Sequence, residues 1–161
     1  MCTYICHMRI EEALQTSKFI DGQHKATLNL LYTSYWLKTL FSNAMKEHAI
    51  TMEQFNVMRI LKGKHPEQMC VKDIAGRMIE KSSNVPRILD KLLLKKLVKR
   101  TTSKSDKRET LISLTDKGMK LLNEANASLA AVSEQFIGIN ESEAGQLNDL
   151  LEKMRKADLP E

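Results

Sequence analysis

Apolar positions along this chain follow two kinds of pattern. Toward the ends they recur at helical spacing over long runs, and in the middle they form short runs broken by polar clusters. Residues 25–48 place Leu28, Leu31, Tyr32, Tyr35, Leu40 and Phe41 on one stripe, which Leu30, Trp36 and Leu37 widen. A stripe that broad predicts a helix buried on more than one side. Residues 116–137 repeat Leu122, Ala125, Leu129, Val132 and Phe136 at alternating steps of three and four, the spacing of a helix seam. Residues 141–156 form a last helix with Leu147, Leu150, Leu151 and Met154 on one face. Asn140 is its candidate cap, with Glu143 placed for the reciprocal bond of a capping box. Faces of this extent exceed what a small domain covers by itself. They predict that the two ends pair with each other and with a second copy of the chain.

Between residues 51 and 114 the pattern predicts three short helices and then a β-hairpin. Thr51 caps the first, residues 51–63, with Gln54 at capping-box spacing, Phe55, Met58, Ile60 and Leu61 as apolar contacts, and Gly63 at its end. Residues 71–78 form the second, turning Val71, Ile74, Ala75 and Met78 inward. The third starts at Ser82 or Ser83. Its apolar stripe is Val85, Ile88, Leu89 and Leu92, and Ser83, Asn84, Arg87, Asp90 and Lys91 fall opposite. Pro86 bears on the start, because proline is harmless only in a first helical turn, where its missing N–H has no partner to lose. Ser83 as N-cap keeps Pro86 within that turn and is preferred over Ser82. Leu94 falls on the polar side of this helix, and nothing in the pattern accounts for it.

Residues 97–102 and 109–114 have strand character, with Thr110, Ile112 and Leu114 alternating on one face. The polar stretch between them, residues 103–108, is longer than a tight turn and predicts a projecting tip. Thr115 caps the helix that follows. The fold class is therefore mainly α with a small β-hairpin. A single domain is expected over 1–161, with 1–24 a leader or helix, 25–48 and 116–157 dimerisation helices, and 51–114 a unit of helices plus hairpin.

Composition narrows the class further. Only 6 Gly and 3 Pro in 161 residues argue against an all-β fold, whose turns need both. No run approaches the ~20 apolar residues of a membrane span. Residues 1–8 lack the basic and apolar regions of a secretory signal, so a cytoplasmic protein away from membranes is expected. Met8 is an alternative start. Charge is concentrated: residues 71–120 hold 14 Lys and Arg against 6 Asp and Glu, a local charge of +8, whereas the other 111 residues hold 11 against 14. A segment so basic points to a polyanion.

Short helix, turn, second helix with a polar face and basic hairpin together make a winged helix-turn-helix. Its chemistry suits double-stranded DNA. The front of the third helix offers Ser82, Ser83, Asn84 and Arg87 to a major groove about as wide as a helix, with Lys91 a turn further on. The hairpin tip brings Lys104, Lys107 and Arg108 to the flanking backbone or minor groove. An alternative of another class is a winged-helix interaction module whose basic face meets an acidic protein partner.

Specific strings support the DNA reading. Asp106-Lys107-Arg108, followed by Leu111-Ile112-Ser113-Leu114-Thr115-Asp116-Lys117-Gly118, resembles the wing-to-helix signature of MarR-type transcriptional regulators: D-x-R, a strand, then L-T-x-x-G. Residues 83–92 and 97–100 resemble that family's recognition helix and first wing strand, and the resemblance spans roughly 25–156. It implies that Asp106 orients Arg108 into the minor groove and that Arg87 acts from the recognition helix. It further implies a homodimer with intertwined terminal helices on a pseudo-palindromic operator, acting as a repressor. In such proteins a pocket for small aromatic or phenolic effectors lies between the dimer helices and the DNA-binding domain, which makes Tyr32, Tyr35 and Trp36 candidates to line one. Two departures stand out: Lys96 replaces the usual Gly after the recognition helix, and Pro86 a commoner small hydroxyl residue.

Other chemistry finds little footing. Cys2, Cys6 and His7 read C-x3-C-H, which is not a haem-attachment spacing and lacks a fourth zinc ligand. Cys70 stands alone, without the aromatic surroundings of an oxidant-sensing first-helix cysteine. His24, His48 and His65 flank no carboxylate cluster. With no nucleophile constellation, phosphate loop or paired carboxylates, neither enzymatic activity nor a metal or cofactor is expected.

Overall fold

A computed structural model describes residues 8–81, 83–103 and 107–155. In chain order the elements are α1 (Ile10–Ala13), α2 (Gly22–Glu47), α3 (Met52–Lys62), β1 (Met69–Cys70), α4 (Val71–Gly76), α5 (Val85–Leu94), β2 (Val98–Thr102), β3 (Thr110–Leu114), α6 (Asp116–Phe136) and α7 (Glu141–Met154).

Capping chemistry sets most of the helix starts. Thr51 accepts from the Gln54 N–H at 3.3 Å and the Gln54 side chain answers on the Thr51 N–H, the predicted capping box. Asn140 and Glu143 form a second one at the start of α7. Asp21 starts α2 earlier than the apolar stripe alone indicates, accepting from the His24 N–H at 2.7 Å. Gly63 ends α3 in the ordinary right-handed region, φ −64°, so its glycine freedom is not what stops the helix.

The core is one cluster built around α3. Phe55, Val57, Met58 and Leu61 meet Ile74 and Met78, Leu89 and Leu92 of α5, Ile112 of β3, and Leu122 and Ala125 of α6. Burying side chains of this size contributes about 1.5–3 kcal/mol each. The sheet has order β1-β3-β2 and is antiparallel throughout, with Val98 opposite Leu114 and Thr102 opposite Thr110 in the hairpin. β1 is an addition to the predicted hairpin. Two residues carry no readable periodicity, and Met69 and Cys70 are strand only because Ile112 and Leu111 lie beside them. Sandwiched this way, β3 buries Ser113 as well as Ile112 and Leu114, so the expected alternation fails there. Gln68 supplies the missing polarity, donating to Ser113 Oγ at 3.5 Å and accepting from Thr101 Oγ1 at 3.1 Å.

The ends are different. α2 packs on α3 and α6 near its C-terminus, where His48 Nε2 lies 2.8 Å from Ser128 Oγ, and it buries only Ala44 and Met45. Within one chain it is not covered on more than one side. α7 has no buried residue, and Leu147, Leu150 and Met154 stand exposed. Among the described residues no helix is long and apolar enough to cross a membrane.

Candidate nucleic-acid interface

The site is organised by both ends of α5. Its N-cap is Asn84, one residue later than expected, whose Oδ1 accepts from the Arg87 N–H at 3.2 Å. Asn is as good a cap as Ser, and this choice moves Pro86 to the second helical position, where no N–H is needed. The Ser83 N–H instead closes the preceding turn on the Glu80 carbonyl at 3.1 Å. Its hydroxyl is buried without a hydrogen-bond partner in this structure, which takes Ser83 off the outer face. Asn84, Arg87, Asp90 and Lys91 are exposed, opposite buried Val85, Leu89 and Leu92. Ser82, Lys104 and Asp106 lie outside the described residues.

At the C-terminus, Lys96 takes the left-handed conformation usually given to glycine, φ 59°. The N–H of Leu97 returns to the Leu92 carbonyl at 3.0 Å and that of Lys96 to Leu93 at 2.9 Å, a Schellman closure. Leu97 and Leu92 are both buried in the core, and that burial offsets a strain of about 1 kcal/mol. The departure from glycine thus leaves the helix end unchanged. Lys95 is held within the chain: its ammonium donates to the Ala49 carbonyl and, at 3.1 Å, to Gln54 Oε1.

The same junction explains the L-T-x-x-G string. Thr115 donates its N–H to the Leu97 carbonyl at 3.1 Å and its hydroxyl to the Lys96 carbonyl at 2.9 Å, and its Oγ1 accepts from the Gly118 N–H at 3.0 Å. A Cβ on Gly118 would lie 2.0 Å from the Leu97 oxygen. Only glycine lets α6 start this close to the turn between recognition helix and wing. The wing is also tied to α5 from the side, Arg100 on β2 reaching Asp90 at 3.4 Å. At the tip the Ser103 N–H donates to the Glu109 carbonyl at 3.0 Å, and Lys107 and Arg108 are exposed just before β3.

A cleft of about 370 Å³ separates α5 from the start of α3, with Glu53 and Glu80 on one side and Arg87 and Lys91 on the other. Hydrogen bonds from the Thr51 side chain and the local backbone, with help from the nearby Lys38 and Lys91 charges, hold the Glu53 carboxyl below the usual carboxylate range. Glu80 receives Lys38 of α2 at 2.6 Å, and this bond raises the lysine above its usual value. Sequence spacing could not show this link, because 42 residues separate the partners. Tyr32, Tyr35 and Trp36 lie exposed on α2 and line neither this cleft nor the one of about 340 Å³ between α2 and α6. Cys70 caps α4, its Sγ accepting from the Asp73 N–H at 3.4 Å.

Residues 39–125 match the family model described as transcriptional regulator SarA/Rot, more than half of the chain. The chain belongs to the SarA/Rot family of transcriptional regulators. It is a DNA-binding regulator on a MarR-like winged-helix fold. Relatives of this SarA/Rot member include the HTH-type transcriptional regulator YkoM of Bacillus subtilis, 31% identical over 109 residues, 67% of this chain and 70% of that one. A putative MarR-like transcription regulator from Bacillus cereus superposes with a TM-score of 0.73 at 22% identity, covering 83% of this chain and 96% of its own. Staphylococcus aureus MepR, solved as a DNA complex, gives 0.70 at 24% identity over 80% and 94%.

Proposed function

We propose that the regulator acts as a homodimer, seating the two copies of α5 in successive major grooves of a pseudo-palindromic operator. The observation that carries this is the exposed row Asn84, Arg87 and Lys91, set opposite a fully buried stripe and held rigid at both helix ends. Asn84 spends Oδ1 on its cap, so its amide N–H groups are what it offers to DNA. Arg87 suits the paired acceptors of guanine. Ser82 and Ser83, just ahead of the helix in sequence, complete the proposed contact set. On the wing, Lys107 and Arg108 meet the flanking backbone or minor groove, together with Lys104 and with Asp106 as the orienting carboxylate. MepR, a fold neighbour, is known as a DNA complex, which supports DNA as the partner. No observation favours an acidic protein partner.

The role is repression in the cytoplasm, without catalysis. A small aromatic effector would act by changing the spacing of the two recognition helices, a shift between DNA-competent and incompetent dimers. Tyr32, Tyr35 and Trp36 would serve such a ligand once a second chain closes over α2. The experiment is a salt-dependent titration of Arg87→Ala and Arg108→Ala on a duplex selected from a random pool. Arg108→Ala is expected to weaken binding and flatten its salt slope by about one unit, and Arg87→Ala to lose about 1–3 kcal/mol of sequence preference. Unchanged binding by both variants would contradict the assignment.

A further inference from the structure

Leu94 ends α5 as a leucine that is 84% exposed, on a face otherwise made of Asn84, Arg87, Asp90 and Lys91. Single exposed leucines are ordinary on protein surfaces, and it is the placement of this one that matters. It follows Arg87 by seven residues, two helical turns, and so shares that side of the helix. Leu89 and Leu92, five and two residues before it, are fully buried, which turns Leu94 away from the core. Fraying does not explain the exposure. The helix end is closed by the bonds from Leu97 to Leu92 and from Lys96 to Leu93, and the Lys117 ammonium donates to the Lys95 carbonyl at 3.0 Å. With Lys95 anchored on α3, the leucine is presented from a fixed base.

Resting on the major-groove reading above, we propose that Leu94 is a specificity-determining residue that recognises a thymine by its C5-methyl group. Along the base edges of the major groove that methyl is the apolar feature, and leucine packed on it withdraws apolar surface of both partners from water. Arg87 and Asn84 read polar atoms and cannot supply this discrimination. A helix rises about 1.5 Å per residue, so Leu94 stands about 10 Å beyond Arg87 along the axis. That distance is about three base-pair steps of 3.4 Å. The expected signature is a thymine about three base pairs from the guanine that Arg87 reads.

The test titrates the full-length chain against a selected duplex in which each thymine in turn is replaced by deoxyuridine, which lacks only the methyl. The wild-type chain is expected to lose about fourfold in affinity at one thymine per half-site. Leu94→Ala, whose exposed position leaves folding intact by thermal melt, is expected to bind the uridine and thymine duplexes equally. A uridine penalty of the same size in both proteins overturns the assignment, as does a wild-type chain indifferent to every uridine. Absence of salt-sensitive binding to any duplex would sink the groove reading itself, and the role of Leu94 with it.

Discussion

The winged-helix body and the terminal helices treat their apolar residues in opposite ways. α3, α5 and β3 place Phe55, Leu89 and Ile112 wholly inside a core that one chain completes. α2 buries two of its 26 residues and α7 none, although both carry large apolar side chains. The difference shows a division of labour. A DNA-reading head must be rigid, so it is closed within the chain. The terminal helices are left open, and in the proposed homodimer it is a second chain that would complete them. Lys38 reaching Glu80 is the polar tie by which movement of α2 would reach the head, while His48 beside Ser128 ties α2 to α6.

Substitutions can break that contrast or sharpen it. The largest effect is expected at Gly118, where alanine would drive its Cβ into the Leu97 carbonyl. Gly118→Ala should cost on the order of 3–4 kcal/mol of stability in a denaturant melt. Leu150→Asp places a carboxylate on the open face of α7. It should weaken the dimer by about 2–3 kcal/mol in sedimentation equilibrium while the circular dichroism of the body stays unchanged. If it unfolds the chain instead, the ends are not separable from the head.

A smaller, stabilising change is expected where the head is strained. Lys96→Gly relieves a left-handed residue and should add about 1 kcal/mol, raising Tm by about 2–4 °C. The smallest concerns Glu53. Its carboxyl is lowered in the folded state, so its contribution is present above the ordinary glutamate value of about 4.3 and is lost as pH falls toward the lowered one. The cleft is open to water, so the loss should be about 0.3 kcal/mol and absent from Glu53→Gln in acid melts.

What could be read without coordinates followed the range of the interaction. The boxes at Thr51 and Asn140 and the cap at Thr115 span three residues and were legible, as were the two strands of the hairpin, though not their register. β1 was not, since it exists only through β3, about 40 residues on. Pro86 marked the start of α5, yet preference among Ser83 and its neighbours turned on the Asn84 side chain taking the Arg87 N–H while the Ser83 hydroxyl is buried away from it. The partners of Lys95 and Arg100, Gln54 and Asp90, are set by packing and leave no mark in the sequence pattern. Leu94 was visible from the outset as an anomaly on a polar face.

Selection of bound duplexes from a random pool by the full-length protein tests the central claim most directly. The expected result is two inverted half-sites with centres one helical turn apart, about 10 base pairs or 34 Å. Single, unpaired half-sites, or recovered pools with no sequence preference, would contradict a homodimer that reads DNA through α5.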